Sequence, residues 1–129
     1  MPAAAVLKVL VVDDQNSVRQ MTRITLEQLG IRHIHEAENG VGAMNTASLQ
    51  PLDLIISDYN MPEMDGLALL RAVRGHPAAR KIPFILLTGR GDRELVVKAA
   101  QAGANNYLIK PFTADILRQK IEQVMGKLS

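Results

Sequence analysis

The chain alternates two hydrophobic rhythms. Short, nearly continuous apolar runs rich in Val, Ile and Leu are separated by stretches where apolar residues recur at steps of three and four. The first rhythm belongs to strands covered on both faces, the second to helices with one buried face. Residues 6–12 (VLKVLVV), broken only by Lys8, predict the first strand. Val18, Met21, Thr25 and Leu29 then mark one face of a helix, with N-cap candidates at 14–17 and Gly30 as its stop. A second strand is predicted over 34–37 and a helix over 41–49, ended by Pro51. A third strand is expected at 52–57 (LDLIIS), a third helix at 67–74, a fourth strand at 82–87 and a fourth helix at 92–102. Residues 106–109 read as a fifth strand, and Thr113 is placed to cap a last helix striped by Leu117, Ile121, Val124 and Leu128.

Five strands alternating with five helices imply right-handed crossovers and a parallel sheet with helices on both sides. In such a sheet ligands sit outside the carboxyl ends of the strands, where the strand order switches. The side chains at those ends therefore matter most.

Composition narrows the picture. A chain of 129 residues is expected to form one domain, residues 1–129, with no output domain. There is no Trp, and only two Phe and two Tyr, so the core must be aliphatic. The absence of Cys excludes disulfides and thiolate metal sites. Net charge is +2, with Lys and Arg spread along the chain, which favours a solvated surface over a DNA-binding patch. The N-terminal MPAAAVLKVLVVDD lacks a basic leader, and no apolar run approaches the ~20 residues that span a bilayer. A cytoplasmic monomer with no membrane insertion is the expectation.

Four strand ends carry chemistry: Asp13-Asp14 after the first, Asp58 after the third, Thr88 after the fourth, and Lys110-Pro111 after the fifth. An acidic pair after a strand is by itself more often a helix cap than a ligand. All four ends at one edge of one sheet are a different matter. Close carboxylates repel by roughly 4 kcal/mol per pair at an effective dielectric near 20, so something positive must offset them. Mg²⁺ fits, because it takes hard oxygen ligands and keeps water for a phosphate to replace. Lys110 adds a fixed cation and Thr88 a hydroxyl donor. Together these groups make a phosphoryl-transfer site with Asp58 as an acyl-phosphate nucleophile.

The segments VLVVDD, LIISDYNMPEMDG, ILLTG and AGANNYLIKPFT closely resemble response-regulator receiver domains, and in particular the single-domain chemotaxis regulators among them. The resemblance runs the length of the chain. It implies a flavodoxin-like (βα)5 fold, a doubly wound parallel α/β sheet of strand order 2-1-3-4-5. It implies that Asp58 accepts phosphate from a histidine kinase. Asp14 would bind Mg²⁺ directly, Asp13 mostly through water, and Asp58 and the backbone carbonyl of Asn60 would complete the protein ligands. Lys110 would pair with the phosphoryl group, Thr88 would hydrogen-bond it, and Tyr107 would turn inward when Thr88 moves. A cis Lys110–Pro111 bond is implied as well. Arg93, Val96, Tyr107 and Lys120 would form the face that binds a flagellar motor switch protein or another downstream protein.

Two positions depart from the common pattern. Gly89 stands where many receivers have Ala or Ser. Arg90 stands where the best-known chemotaxis regulator is acidic, and together with Asn60 it is expected to modulate the phosphoryl lifetime. Gly66 is expected to enter its helix with positive φ. Arg90-Gly91-Asp92 reads as loop and cap. His33 and His35 share a strand face without a third ligand, and Arg71, Arg74, Arg80 and Lys81 read as solvated charges. Other readings stay open: a phosphate sink or phosphorelay intermediate, or a Mg²⁺-dependent phosphatase. A phosphatase wants a D-x-D pair, where Asp58-Tyr59-Asn60 has Asn. A flavin carrier lacks its phosphate loop and aromatic sandwich.

Overall fold

The computed structural model describes residues 2–89 and 93–129. Strands β1 (Lys8–Val12), β2 (His33–Ala37), β3 (Leu54–Asp58), β4 (Phe84–Thr88) and β5 (Asn106–Ile109) alternate with helices α1 (Asn16–Gln28), α2 (Gly40–Leu49), α3 (Gly66–Gly75), α4 (Arg93–Ala102) and α5 (Ala114–Met125). All neighbouring strands pair in parallel, in the order β2-β1-β3-β4-β5. The two-residue period of a strand sends alternate side chains to opposite layers. Leu10, Val12, Ile55, Phe84 and Leu86 pack against Ala43 and Ala47 of α2, Leu69, Leu70 and Val73 of α3, and Leu95 and Ala99 of α4. Val9, Val11, Leu54, Ile56, Ile85, Leu87 and Leu108 pack against Leu26 of α1 and Leu117 and Ile121 of α5. With both faces covered, β3 and β4 are buried throughout.

Several boundaries shift from the sequence expectation. β1 begins at Lys8, because Ala4–Val6 form a single 3-10 turn that leaves Val6 exposed. The inward residues of α1 are Thr22 and Leu26, while Met21, expected on the buried face, is 68% exposed. Thr22 can face inward because its hydroxyl donates to the Val18 carbonyl at 3.1 Å, leaving its methyl to pack. The expected side-chain cap of α1 is absent: Gln15 stands at the N-cap without a cap bond, and Asp13 Oδ1 accepts from the Gln15 N–H instead. Asn39, Asp65 and Thr113 do cap α2, α3 and α5.

Arg74 is not a solvated charge. Its guanidinium donates to the Gly103, Arg80 and Ile82 carbonyls and to Asn105 Oδ1, tying the end of α3 to the turns before β4 and β5. Burial draws its pKa below the usual arginine value. No helix among the described residues is long and apolar enough to cross a membrane.

Candidate functional site

Strand register assembles the site. Val12 lies opposite Ser57, Asp58 opposite Leu87, and Thr88 opposite Ile109. Asp13, Asp58, Thr88 and Lys110, each at or one residue past the end of its strand, therefore come to the same edge. The backbone ladder continues over that edge, with Asp13 N–H donating to Ala37 O at 3.1 Å, Tyr59 N–H to Leu87 O at 2.7 Å and Lys110 N–H to Thr88 O at 2.8 Å. Asp13, Asp58 and Thr88 are buried, Asp14 is exposed, and the half-buried Lys110 follows directly after β5. The Lys110–Pro111 peptide is cis.

Lys110 Nζ lies 2.6 Å from Asp58 Oδ1 and 4.0 Å from Asp13 Oδ2. One carboxylate oxygen from each of Asp13, Asp14 and Asp58 falls within 4.8 Å of the others. Burial pushes the Asp13 carboxyl above the usual carboxylate range, and the charges of Asp58 and Asp14 push the same way, against the Gln15 N–H and Lys110. Asp13 Oδ2 is buried and accepts no hydrogen bond. A buried acceptor left unpaired costs about 1–3 kcal/mol. Three hard oxygen donors, an orphaned acceptor and one ammonium, which offsets only part of the charge, fit a small divalent cation.

The β3–α3 loop is built around close approaches. The Gly66 N–H donates to Tyr59 O at 2.7 Å, and Asp65 Oδ1 caps α3 by accepting from Ala68 N–H at 2.8 Å. A Cβ on Gly66 would sit 2.4 Å from the Asp58 carbonyl oxygen and 2.7 Å from Leu86 Cδ1. Contact with the strand end is therefore what requires glycine. The positive φ expected there belongs instead to Glu63, at 69°. Asn60 is exposed at the start of this loop. A Cβ on Gly89 would meet nothing within 4 Å, so side chains larger than glycine fit that position. Arg90, with the rest of the 90–92 triplet, lies outside the described residues.

Toward the other end of β5, Tyr107 packs half-buried against the core layer beneath α3 and α4. Lys120 Nζ sits 4.7 Å from its ring centroid. Arg93 is exposed at the start of α4 and Val96 is half-buried one turn on.

The sequence reading passed over one group. Glu36 of β2 accepts from Arg19 Nε at 3.0 Å, Gln20 Nε2 at 2.6 Å and Arg23 Nη1 at 2.7 Å. Burial works against its ionisation, but the charged hydrogen bonds of Arg23 and Arg19 together outweigh it and hold the carboxyl below the usual range. The available signal was Arg19 and Arg23, one helical turn apart, with a carboxylate on the next strand, on the face opposite its two histidines.

The chain matches the response regulator receiver domain family over residues 9–122. It is 48% identical to a Rhizobium etli protein named "Probable chemotaxis protein CheY" over 128 residues, covering 99% of each chain. It is 41% identical to chemotaxis protein CheY1 of Helicobacter pylori over 121 residues, 93% of this chain and 98% of that one. Among solved structures it is similar to chemotaxis protein CheY4 of Vibrio cholerae, with a TM-score of 0.86 at 35% identity over 92% of this chain and 98% of that one.

Proposed function

This chain belongs to the response regulator receiver domain family, a family of signalling switches rather than classical enzymes, and from that premise we propose that it is switched by phosphorylation of Asp58. The observation that carries the reading is the contact between Lys110 Nζ and Asp58 Oδ1, inside a group of three converging carboxylates. An Asp58 oxygen attacks the phosphorus of a phosphohistidine on a sensor kinase. The new O–P bond forms as the P–N bond breaks, and the departing imidazole takes up a proton. Lys110, which neutralises the carboxylate beforehand, then pairs with the phosphoryl oxygens. Asp13, Asp14, Asp58 and the Asn60 carbonyl are the groups that would hold Mg²⁺. When bound, the ion neutralises negative charge on the carboxylates and the transferring group.

Thr88 ends the strand beside Asp58, one residue past Leu87, and its hydroxyl is a second candidate donor to the new phosphoryl group after Lys110. Driving a two-state switch from 1:99 to 99:1 takes about 5.5 kcal/mol. Hydrogen bonds from Thr88 and Lys110 to a charged group supply roughly 1.5–3 kcal/mol each, which is the required size. The Tyr107 ring follows Thr88, and the surface formed by Arg93, Val96, Tyr107 and Lys120 changes shape. The names of the relatives support a role in chemotaxis; the downstream partner in this proposal is a flagellar motor switch protein, and the site of action the cytoplasm.

Acetyl phosphate or a phosphorylated kinase tests this, with the adduct located by mass spectrometry. Label is expected on Asp58 only, lost in Asp58→Ala and in chelator. Undiminished labelling of either would overturn the reading. In Lys120→Glu, Asp58 should still label while partner binding falls. Equal binding would move the output face elsewhere.

A further inference from the structure

The acidic pair needs a fixed backbone, and the structure supplies one from outside the site. Arg19 lies one turn into α1 with its side chain only 12% exposed. Its guanidinium is shared three ways. Nη1 donates to the Asp13 carbonyl at 2.8 Å, Nη2 to Asn16 Oδ1 at 2.6 Å and Nε to Glu36 Oε1 at 3.0 Å. Glu36 is itself held by Arg23 and Gln20, so Arg19 reaches the β1–α1 turn from a braced point on β2.

The consequence falls on the orientation of two side chains. Past the end of β1, the Asp13 N–H still pairs with Ala37 O. Its carbonyl takes the Arg19 bond, and its Oδ1 takes the Gln15 N–H. Asp13 Oδ2 is the atom left over, buried and aimed at the site. The Asp13 carbonyl belongs to the peptide that leads into Asp14, so turning that peptide would swing the Asp14 carboxylate away. We propose that Arg19 is a positioning residue for the metal-binding acidic pair: it fixes the Asp13–Asp14 peptide by bridging the Asp13 carbonyl to Glu36. This rests on the Mg²⁺ reading of the preceding section. A planar fork can grip a carbonyl and a carboxylate at once, whereas a lysine ammonium is a single point.

A purely structural staple between α1 and β2 would alter stability alone. The two roles separate when Mg²⁺ affinity is measured beside stability. Mg²⁺ is titrated into wild type, Arg19→Gln, Arg19→Lys and Arg23→Gln, following the Asp13 and Asp14 amide signals. Urea denaturation of each is run in chelator. Groups that orient metal ligands typically contribute 10–100-fold to affinity. Arg19→Gln is expected to weaken Mg²⁺ by about tenfold or more, with Arg19→Lys failing to restore it. Arg23→Gln touches Glu36 and not Asp13. It should lose stability yet keep Mg²⁺ affinity within about twofold of wild type, well short of that range. If Arg19→Gln does not fold, Arg19→Lys carries the same expectation. Folded Arg19 variants that bind Mg²⁺ like wild type would overturn the proposal and leave the Mg²⁺ reading standing, and an equal loss in Arg23→Gln would overturn it too. Wild type that takes up no Mg²⁺ would overturn both.

Discussion

On the β2 side of the site, Glu36 takes hydrogen bonds from two guanidinium groups and an amide, and one of those guanidiniums goes on to hold the Asp13 carbonyl. On the β5 side, Tyr107 lies half-buried against aliphatic side chains with one ammonium over its ring. The two flanks lie on the opposite edge strands of one sheet, yet their restraints differ in kind. Charge-assisted, multidentate bonds are strong and directional, so moving the first flank means breaking several at once. Aliphatic packing and a cation–π contact of about 0.5–1 kcal/mol restrain the second only weakly in direction. A half-buried ring can repack at small cost. The first flank suits a part that must hold the metal ligands still, the second a part that must change when Asp58 is modified.

Glu36→Ala breaks the charged flank. It leaves both arginines without their acceptor and should destabilise the protein by about 2 kcal/mol near neutral pH, as urea denaturation reads it. The carboxyl of Glu36 is held below its usual value, so its stabilisation is present above the unfolded pKa. It is lost as pH falls through the folded one. The gap between variant and wild type should therefore close in acid. A gap that stays constant with pH would mean that packing, not charge, holds this flank.

Asp13→Asn acts at the join between the flanks. The Asp13 carboxyl is pushed up, so its charged form disfavours the fold and Mg²⁺-free stability declines as pH rises through that range. Removing the charge should raise stability in chelator, because it relieves the burial of the charge and its repulsion by Asp58 and Asp14. Mg²⁺ at a hundred times its dissociation constant should add about 2.7 kcal/mol to wild type and little to the variant. Stabilisation of both alike would remove Asp13 from the metal site.

Lys120→Met is the gentlest test, on the other flank. It removes the charge over Tyr107 and keeps the apolar stem, so stability should fall by no more than about 0.5–1 kcal/mol. A larger loss would show that this side is held as firmly as the first.

How much of this could be read from the chain depends on how local each signal is. The strands were legible because covered strands such as β3 and β4 need unbroken apolar runs, and the strand-end residues followed from parallel topology. The inward face of α1 was not, because Thr22 satisfies its own hydroxyl within the helix and packs like an apolar residue. Gly66 was recognised as necessary for the wrong reason: its neighbour is the Asp58 carbonyl, a contact no local pattern reveals. Arg74 read as a surface charge because its partners are backbone carbonyls brought together only by the fold. The same holds for Arg19 and Glu36, which are 17 residues apart.

On the proposed function, modification of Asp58 moves one flank and leaves the other in place. Amide spectra of the Mg²⁺-bound protein, recorded with and without beryllofluoride to mimic the phosphoryl group on Asp58, test it directly. The largest shifts are expected at Thr88, Tyr107 and along α4, with Arg19, Arg23 and Glu36 staying where Mg²⁺ alone puts them. Shifts of equal size around Glu36 and α1, or an unmoved Tyr107, would contradict it.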